Sequence, residues 1–548
     1  MSPQENRIFI SAERSPIAEL EQRYPILNRQ LNRYLEARNT VQQERRVKRE
    51  PREQLFLQSM YAQFILERNE RAEDFKSEEV QKARGITDSL MPVKTYGITC
   101  IDSRVMRTIM YGLPLGHGGF LRIPAGDLSE ITPAEGGDVV LISDSAFAES
   151  LANAFEKEDI IAQLLDSHYE CAAQKLDMED SLGEAPADNG LYQDVVTKKK
   201  TAKALISHVD RNHLGKRILP IQTTFDIRDG FMYMGLERDE ALGVGKANGD
   251  TFTQRILDQL VEEKRIIHTK ELLRDAKVGQ LFEGHRIDNF DWEKNYKHTI
   301  TSFWKNMEDM IINGELLTPI KTQVKELYQN CSEEELNERA TLLALNAYNA
   351  YQLGRIRKYP HDTHRETVVV ASEGENGPYA QTSSFSVNSG AQYTYDTNMR
   401  LAVKIIRHNR REERIVDTTG QYHNKNDFVK APVPIAHKVT LRSENVDWDM
   451  VNRIVGLSNF VPSNWPEMSS EDFKKHIKKN IMSNMPVNLL DALDDLRQEM
   501  TMVYAPQGKL DERIMQGQIE VVPVIVDSNR EIRAIVPFVY KGYPQSVN

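Results

Sequence analysis

Cysteine is scarce: the 548 residues hold three, Cys100, Cys171 and Cys331. So few thiols exclude a disulfide framework and point to chemistry for those that remain. Long apolar runs are missing too, and no segment approaches the roughly 20 residues a membrane helix needs. The first residues, MSPQENRIFISAERSP, lack the charged-then-apolar layout of a secretory leader, so a cytoplasmic setting is expected. Basic charge is outnumbered, with 70 Lys and Arg against 81 Asp and Glu and a formal net charge of −11. Nucleic acid is therefore not an expected partner, because phosphate backbones select basic surfaces. What remains, 40% hydrophobic and 28% charged residues, is the composition of a globular protein with more than one core.

The texture of the chain changes along its length. Residues 1–85 carry helical spacing in LEQRYPILNRQLNRYLEA and EQLFLQSMYAQFILERNERAEDF, punctuated by Pro25 and Pro51. From Met91 short apolar runs alternate with Gly, Pro and Asp. They predict strands near 94–101, 119–123, 138–143, 160–166 and 217–225, with a helix over 145–157. Strand and helix in alternation imply βαβ units and a mainly parallel sheet. The run KRILPIQTTFDIRDGFMYMGLE closes this region, 86–245, as two strands joined by a turn at 228–230.

Residues 246–364 return to helical patterns. RILDQLVEEKRIIHTKELLRDA reads as helical, and Ser332 with Glu335 forms a capping box before LNERATLLALNAYNAYQL. Strands resume over 365–548 and end in GQIEVVPVIVDSNREIRAIVPF. There Val521, Val522, Pro523 and Val524 echo Ile218, Leu219, Pro220 and Ile221, which suggests a diverged internal duplication. In that second copy the place of Cys100 falls near Ala371 and that of His168 near Thr418 or Thr419, with no thiol or imidazole at either. The expected fold class is α/β, with a helical N-terminal region and a second, metal-free α/β copy.

Two stretches hold potential metal ligands, YGITCIDSRV at 96–105 and DSHYEC at 166–171. Each follows an apolar run, as at the end of a buried parallel strand, where ligands gather in open α/β sheets. Cys100 and Asp102, two apart on an extended segment, project to one side. His168 and Cys171, three apart, can close on the same ion. Two thiolates and an imidazole are donors that zinc prefers, with a fourth position left for an exchangeable ligand.

These residues resemble the β-class carbonic anhydrases. Cys100, Asp102, Ser103 and Arg104 match that family's Cys-x-Asp-Ser-Arg motif, and His168 and Cys171 its His-x-x-Cys. LRIPAGD, with Arg122, Ala125 and Gly126, is similar to the arginine-containing run between them, and the resemblance spans about residues 90–240. It implies a Zn2+ lyase that hydrates carbon dioxide reversibly to bicarbonate. Cys100, His168 and Cys171 would hold the metal throughout, while Asp102 either fills the fourth site at rest or pairs with Arg104. The resemblance also implies paired subunits, a role the second copy or a homo-oligomer formed through the helical regions would fill. Ser167 and Ala172 stand where the family writes glycine, and Ile123 and Pro124 replace its asparagine. Ser167, Ala172 and the large remainder of the chain favour one alternative, a catalytically silent zinc-stabilised binding or scaffold protein; another is a hydrolase of carbon disulfide or carbonyl sulfide, since such enzymes share the family's site and differ in access.

Other features read as ordinary structure. GVGKANG at 243–249 lacks the spacing of a phosphate loop and reads as a linker; His361 and His364 lack further ligands nearby. Lys198, Lys199 and Lys200 read as a solvated face, and Cys331 as a free thiol ahead of a helix.

Overall fold

The computed structural model describes residues 15–44, 51–91, 93–100, 105, 107–123, 131–133, 139–141, 146–169, 171, 191–242, 254–292, 294–355, 369–372, 384–386, 403, 431–441, 446–457, 464–481, 485–505 and 510–539. They form a mixed α/β protein in two compact units. One comprises Met1–Glu73, Arg365–Glu373 and Gln381–Asn548; the other comprises Asp74–His364 and Gly374–Ala380. The helical region expected at 1–85 is thus divided. Its helices up to Glu73 belong with the C-terminal sheet, and the helix Glu78–Leu90 belongs with the other unit.

In the unit of residues 74–364, β1 (Lys94–Cys100), β2 (Phe120–Ile123), β5 (Ile160–His168), β6 (Arg217–Phe225), β7 (Met232–Met234) and β8 (Ile267–His268) form one sheet in the order β2-β1-β5-β6-β7-β8. Neighbours from β2 to β6 are parallel; β7 and β8 are antiparallel. Near-continuous apolar runs such as Ile160 to Leu165 suit strands covered on both faces. Leu151, Phe155, Ile161 and Val209 pack together, so the helices Ala146–Phe155 and Leu191–Asn212 cover one face. Expected strand 138–143 is β4 (Val139–Leu141), but it pairs antiparallel with β3 (Ile131–Pro133) in a separate ribbon.

Two helical expectations change. RILDQLVEEKRIIHTKELLRDA is not one helix: the helix Gln254–Glu262 stops because Lys264 adopts φ 55°, with Arg265 N–H returning to the Leu260 carbonyl. β8 and a 3₁₀ segment, Thr269–Arg274, follow. Lys198 is not on a solvated face either. It lies inside the helix Leu191–Asn212 at 1% exposure, bonded to Asp194 one turn earlier at 3.0 Å. The capping box is as expected, with Ser332 N–H on Glu335 and Glu335 N–H on Ser332. The helix it opens, Glu333–Arg355, is buried along most of its length.

The other unit has a sheet of β9 (Val369–Ser372), β10 (Ser384–Ser386), β11 (Val433–Leu441), β12 (Ile519–Asp527) and β13 (Ile532–Ile535), in the order β10-β9-β11-β12-β13. Again four strands are parallel and the last is antiparallel. The helices Pro16–Arg23, Pro25–Glu44 and Pro51–Lys76 pack on one face, through Leu31, Tyr34, Phe64 and Ile65 against Ala436, Val522, Val524 and Ile535. Arg38 and Glu520 form a fully buried ion pair there, 2.9 Å apart.

The echoed prolines occupy matching places. Pro220 pairs with Gln163 and stands outside the reach of β7, which pairs only with Thr223 to Phe225. Pro523 pairs with His437, one residue before β13 joins at Val524. Pro220 lies clear of the antiparallel neighbour, whereas Pro523 stands at the end of the β12–β13 ladder, where Val536 N–H still donates to its carbonyl at 3.0 Å. On this register Ala371, level with His437, holds the place of Tyr96, level with Gln163. Thr418 and Thr419, where the histidine position of a second copy is expected, lie outside the described residues.

Candidate metal centre

Cys100 is the last residue of β1 and His168 the last of β5; these strands are parallel neighbours, so both ligands reach the same carboxyl edge. Continuing the register two residues from Ile98 and Leu165 sets Cys100 level with Ser167. The two ligands therefore leave opposite faces of the sheet, and their donor atoms meet past its edge. Cys171 follows three residues after the strand. All three are buried, at 2%, 3% and 3% exposure for Cys100, His168 and Cys171. One donor atom from each lies within 4.8 Å of the others, a group that could hold a metal ion.

The sulfur separation is informative. Sγ of Cys100 and Sγ of Cys171 are 3.8 Å apart. A disulfide requires about 2.05 Å, whereas two thiolates at about 2.3 Å on a tetrahedral ion stand about 3.8 Å apart. The donor set and its spacing fit a metal ion that takes thiolate and imidazole ligands.

His168 is oriented from behind. Its Nδ1–H donates to the Tyr169 carbonyl at 3.2 Å, which makes Nε2 the lone-pair nitrogen. Tyr169 is itself tied to β6, its N–H donating to the Phe225 carbonyl at 2.8 Å, and the Arg228 guanidinium lies 5.0 Å from its ring centre. Arg228 is clamped by Asp226, with backbone N–H and Nε both donating to Oδ1. Burial works to raise the Asp226 carboxyl, but the Arg228 hydrogen bonds outweigh it and hold Asp226 below the usual range.

Behind the centre lies a polar core. Asp166 accepts hydrogen bonds from Tyr111 (3.1 Å) and Thr223, and burial pushes its carboxyl up to about 6 against those bonds. Burial likewise drives the Tyr111 phenol well above its ordinary value. Tyr111 is delivered by the short helix Arg107–Tyr111, which begins three residues past the Cys-x-Asp-Ser-Arg motif. Gly112 ends that helix at φ 67°, and a Cβ there would stand 2.6 Å from the Phe303 ring, so only glycine fits. Further along the edge, His268 stacks on Tyr233 at 4.1 Å, and burial lowers its imidazole to about 4.

The Glu333–Arg355 helix braces these parts. Fully buried Asn346 donates to the carbonyls of Met110 (2.8 Å) and Gly230 (3.0 Å) and accepts from Thr269 Oγ1 (2.6 Å) and Met232 N–H (3.1 Å). Asn349 donates to the Ile109 carbonyl and accepts from Trp292 Nε1 at 3.1 Å.

Of the residues singled out in sequence, Cys100, His168 and Cys171 come together. Asp102, Arg104, Ala125, Gly126 and Ala172 lie outside the described residues, as do His361 and His364. Arg122 pairs with Thr99 in the β1–β2 ladder. Ser167 continues β5 in register with Thr224 and is not among the residues of positive φ, so serine in place of glycine strains no backbone. Sequence reasoning missed Tyr111, Asp166, Thr223, Arg228 and Asn346. An Asp ending an apolar strand, and Asn346, Asn349 and Gln352 spaced by three in a helix, were the available signals.

Fold and centre together define an α/β protein with a buried Cys–His–Cys group able to hold a metal ion. No family model matches the chain, and no curated protein matches it. No helix among the described residues is long and apolar enough to cross a membrane.

Proposed function

We propose that this chain is a zinc-dependent lyase of the carbonic anhydrase type, interconverting carbon dioxide and bicarbonate. The observation that carries the proposal is the Cys100, His168 and Cys171 group, whose sulfurs are 3.8 Å apart at the ends of adjacent parallel strands. Zinc bound there would supply Lewis acidity that brings the pKa of water to about 7. The chain's residues do the rest. Cys100 and Cys171 would hold the metal as thiolates and His168 as a neutral imidazole oriented by the Tyr169 carbonyl. By the resemblance, Asp102 would accept a hydrogen bond from the attacking water and Arg104 would pair with that carboxylate; both lie outside the described residues.

The second sheet fits a diverged copy that has lost the metal. Its strand order, its antiparallel closing strand and the place of Pro523 repeat those of the first sheet.

Stopped-flow hydration of carbon dioxide from about pH 7 to pH 9, on protein whose zinc is assayed in the same preparation, tests the proposal. One zinc per chain with a rate that rises with pH is the expected result. One zinc without hydration anywhere in that range overturns the activity and leaves a metal-stabilised binding protein.

A further inference from the structure

In the unit that holds the N-terminal helices, two helices line a cavity of about 440 Å³ with matched stripes. Arg29, Gln30 and Arg33 come from the helix Pro25–Glu44; Asp449, Asn452 and Arg453 come from Trp448–Val455. On each helix the lining residues recur at three- and four-residue steps, so one face of each turns into the same space. The cavity is built. Gln30 is 7% exposed, its Oε1 accepting from Ile535 N–H of β13 at 2.9 Å and its Nε2 donating to Asn452 Oδ1 at 3.0 Å. Arg33 donates to the Gly456 carbonyl at 2.6 Å, which anchors its guanidinium at the end of the second helix.

Three guanidinium groups meet one carboxylate here, on a chain whose net charge is −11. Among the described residues none of the three is in an ion pair: Arg453 bonds the backbone carbonyl of Asp449, Arg33 that of Gly456, and Arg29 has no side-chain bond. Clustered cations without carboxylate partners favour an anion between them. Forked donors arriving from two helices suit a tetrahedral, multiply charged oxyanion better than a flat monoanion. The space exceeds what one such group fills and is of the size small-ligand sites take.

We infer that this cavity binds a phosphate group, carried on a small molecule. The site is separate from the metal centre and does not rest on the activity proposed above.

Calorimetric titration of the full chain at low salt, with inorganic phosphate, glucose 6-phosphate and glucose as probes, tests it. Saturable binding of the phosphorylated sugar, tighter than inorganic phosphate and absent for glucose, is expected. The Arg29→Ser/Arg453→Ser variant should bind about tenfold more weakly or worse, and Arg453→Lys should fall between. Both exchanged residues are exposed, and Arg33 is left in place because it also caps a helix. Unchanged circular dichroism and zinc content verify folding. Equal binding by variant and wild type, or no saturable heat with either phosphate, overturns the site. Inorganic phosphate binding as tightly as the sugar phosphate would overturn the carried-phosphate assignment in favour of the free ion.

Discussion

Asn346→Leu is the most severe single change that the metal-bearing unit offers without touching a ligand. Leucine keeps the branched shape of asparagine in a slightly larger side chain and removes all four of its hydrogen bonds. Two partners can recover, since Met232 N–H also reaches Thr269 Oγ1 at 2.9 Å. The Met110 and Gly230 carbonyls cannot, because both residues are buried and each has lost the Asn346 amide as donor. An orphaned buried polar group costs about 1–3 kcal/mol, so the variant should lose about 2–6 kcal/mol. Asn346→Asp should be worse, because it sets carboxylate oxygens against those carbonyls. Two compact units make a single unfolding midpoint uninformative, so the assay is hydrogen exchange by mass spectrometry on peptides covering 107–111 and 230–234. Protection there should fall about thirtyfold or more. Protection within about threefold of wild type would refute the bracing role and the arithmetic with it.

Four further outcomes follow from other contacts. Burial pushes Glu338 up to about 7 from 4.5 against the Thr95 hydrogen bond, so the folded state holds its proton more tightly than the unfolded state. Its contribution is complete below pH 4.5 and is lost as pH rises through about 7, an order of 3 kcal/mol; Glu338→Gln should therefore stabilise its unit more at pH 8 than at pH 5, and hydrogen-exchange protection of a peptide covering 94–100 at the two pH values, corrected for intrinsic exchange, checks it. Lys198→Met leaves Asp194 charged and unpartnered in the core and should cost about 3–5 kcal/mol, whereas adding Asp194→Leu should restore most of it; equal losses would return Lys198 to the solvent. Arg228→Gln frees Asp226 and the Tyr169 ring, and zinc affinity measured against a chelator should drop about tenfold. Cys171→Ser should abolish stoichiometric zinc and lower the melting temperature; full zinc retention, by elemental analysis, would remove Cys171 from the ligand set.

Much of this was legible in the chain. Apolar runs ending in polar residues marked β1, β5 and β6 to within a few residues, because a strand buried on both faces is mostly apolar and admits few polar side chains, such as Gln163, before its end. The echo of Pro220 in Pro523 was visible as text, and in the fold both prolines lie on a strand paired in parallel with its inner neighbour, level with Gln163 and His437. Lys198 misled because a triple-lysine run is usually solvated, and only the fold shows that one of the three turns inward onto Asp194. The supposed long helix after residue 254 misled because Lys264 is no helix breaker by type; Arg265 closing back on Leu260 forces its left-handed turn.

By itself the sequence determined the ligand types, their order and the strands that end in them, since these follow from local composition and spacing. Tertiary structure alone decided that β1 and β5 are neighbours and parallel, which brings sulfurs 71 residues apart to within 3.8 Å. It also decided that the N-terminal helices cover the second sheet, and that Asn346 spans from the helix beside the centre to the β6–β7 turn. Such pairings depend on which apolar faces find each other when the core closes, a contest among distant segments that no local spacing records.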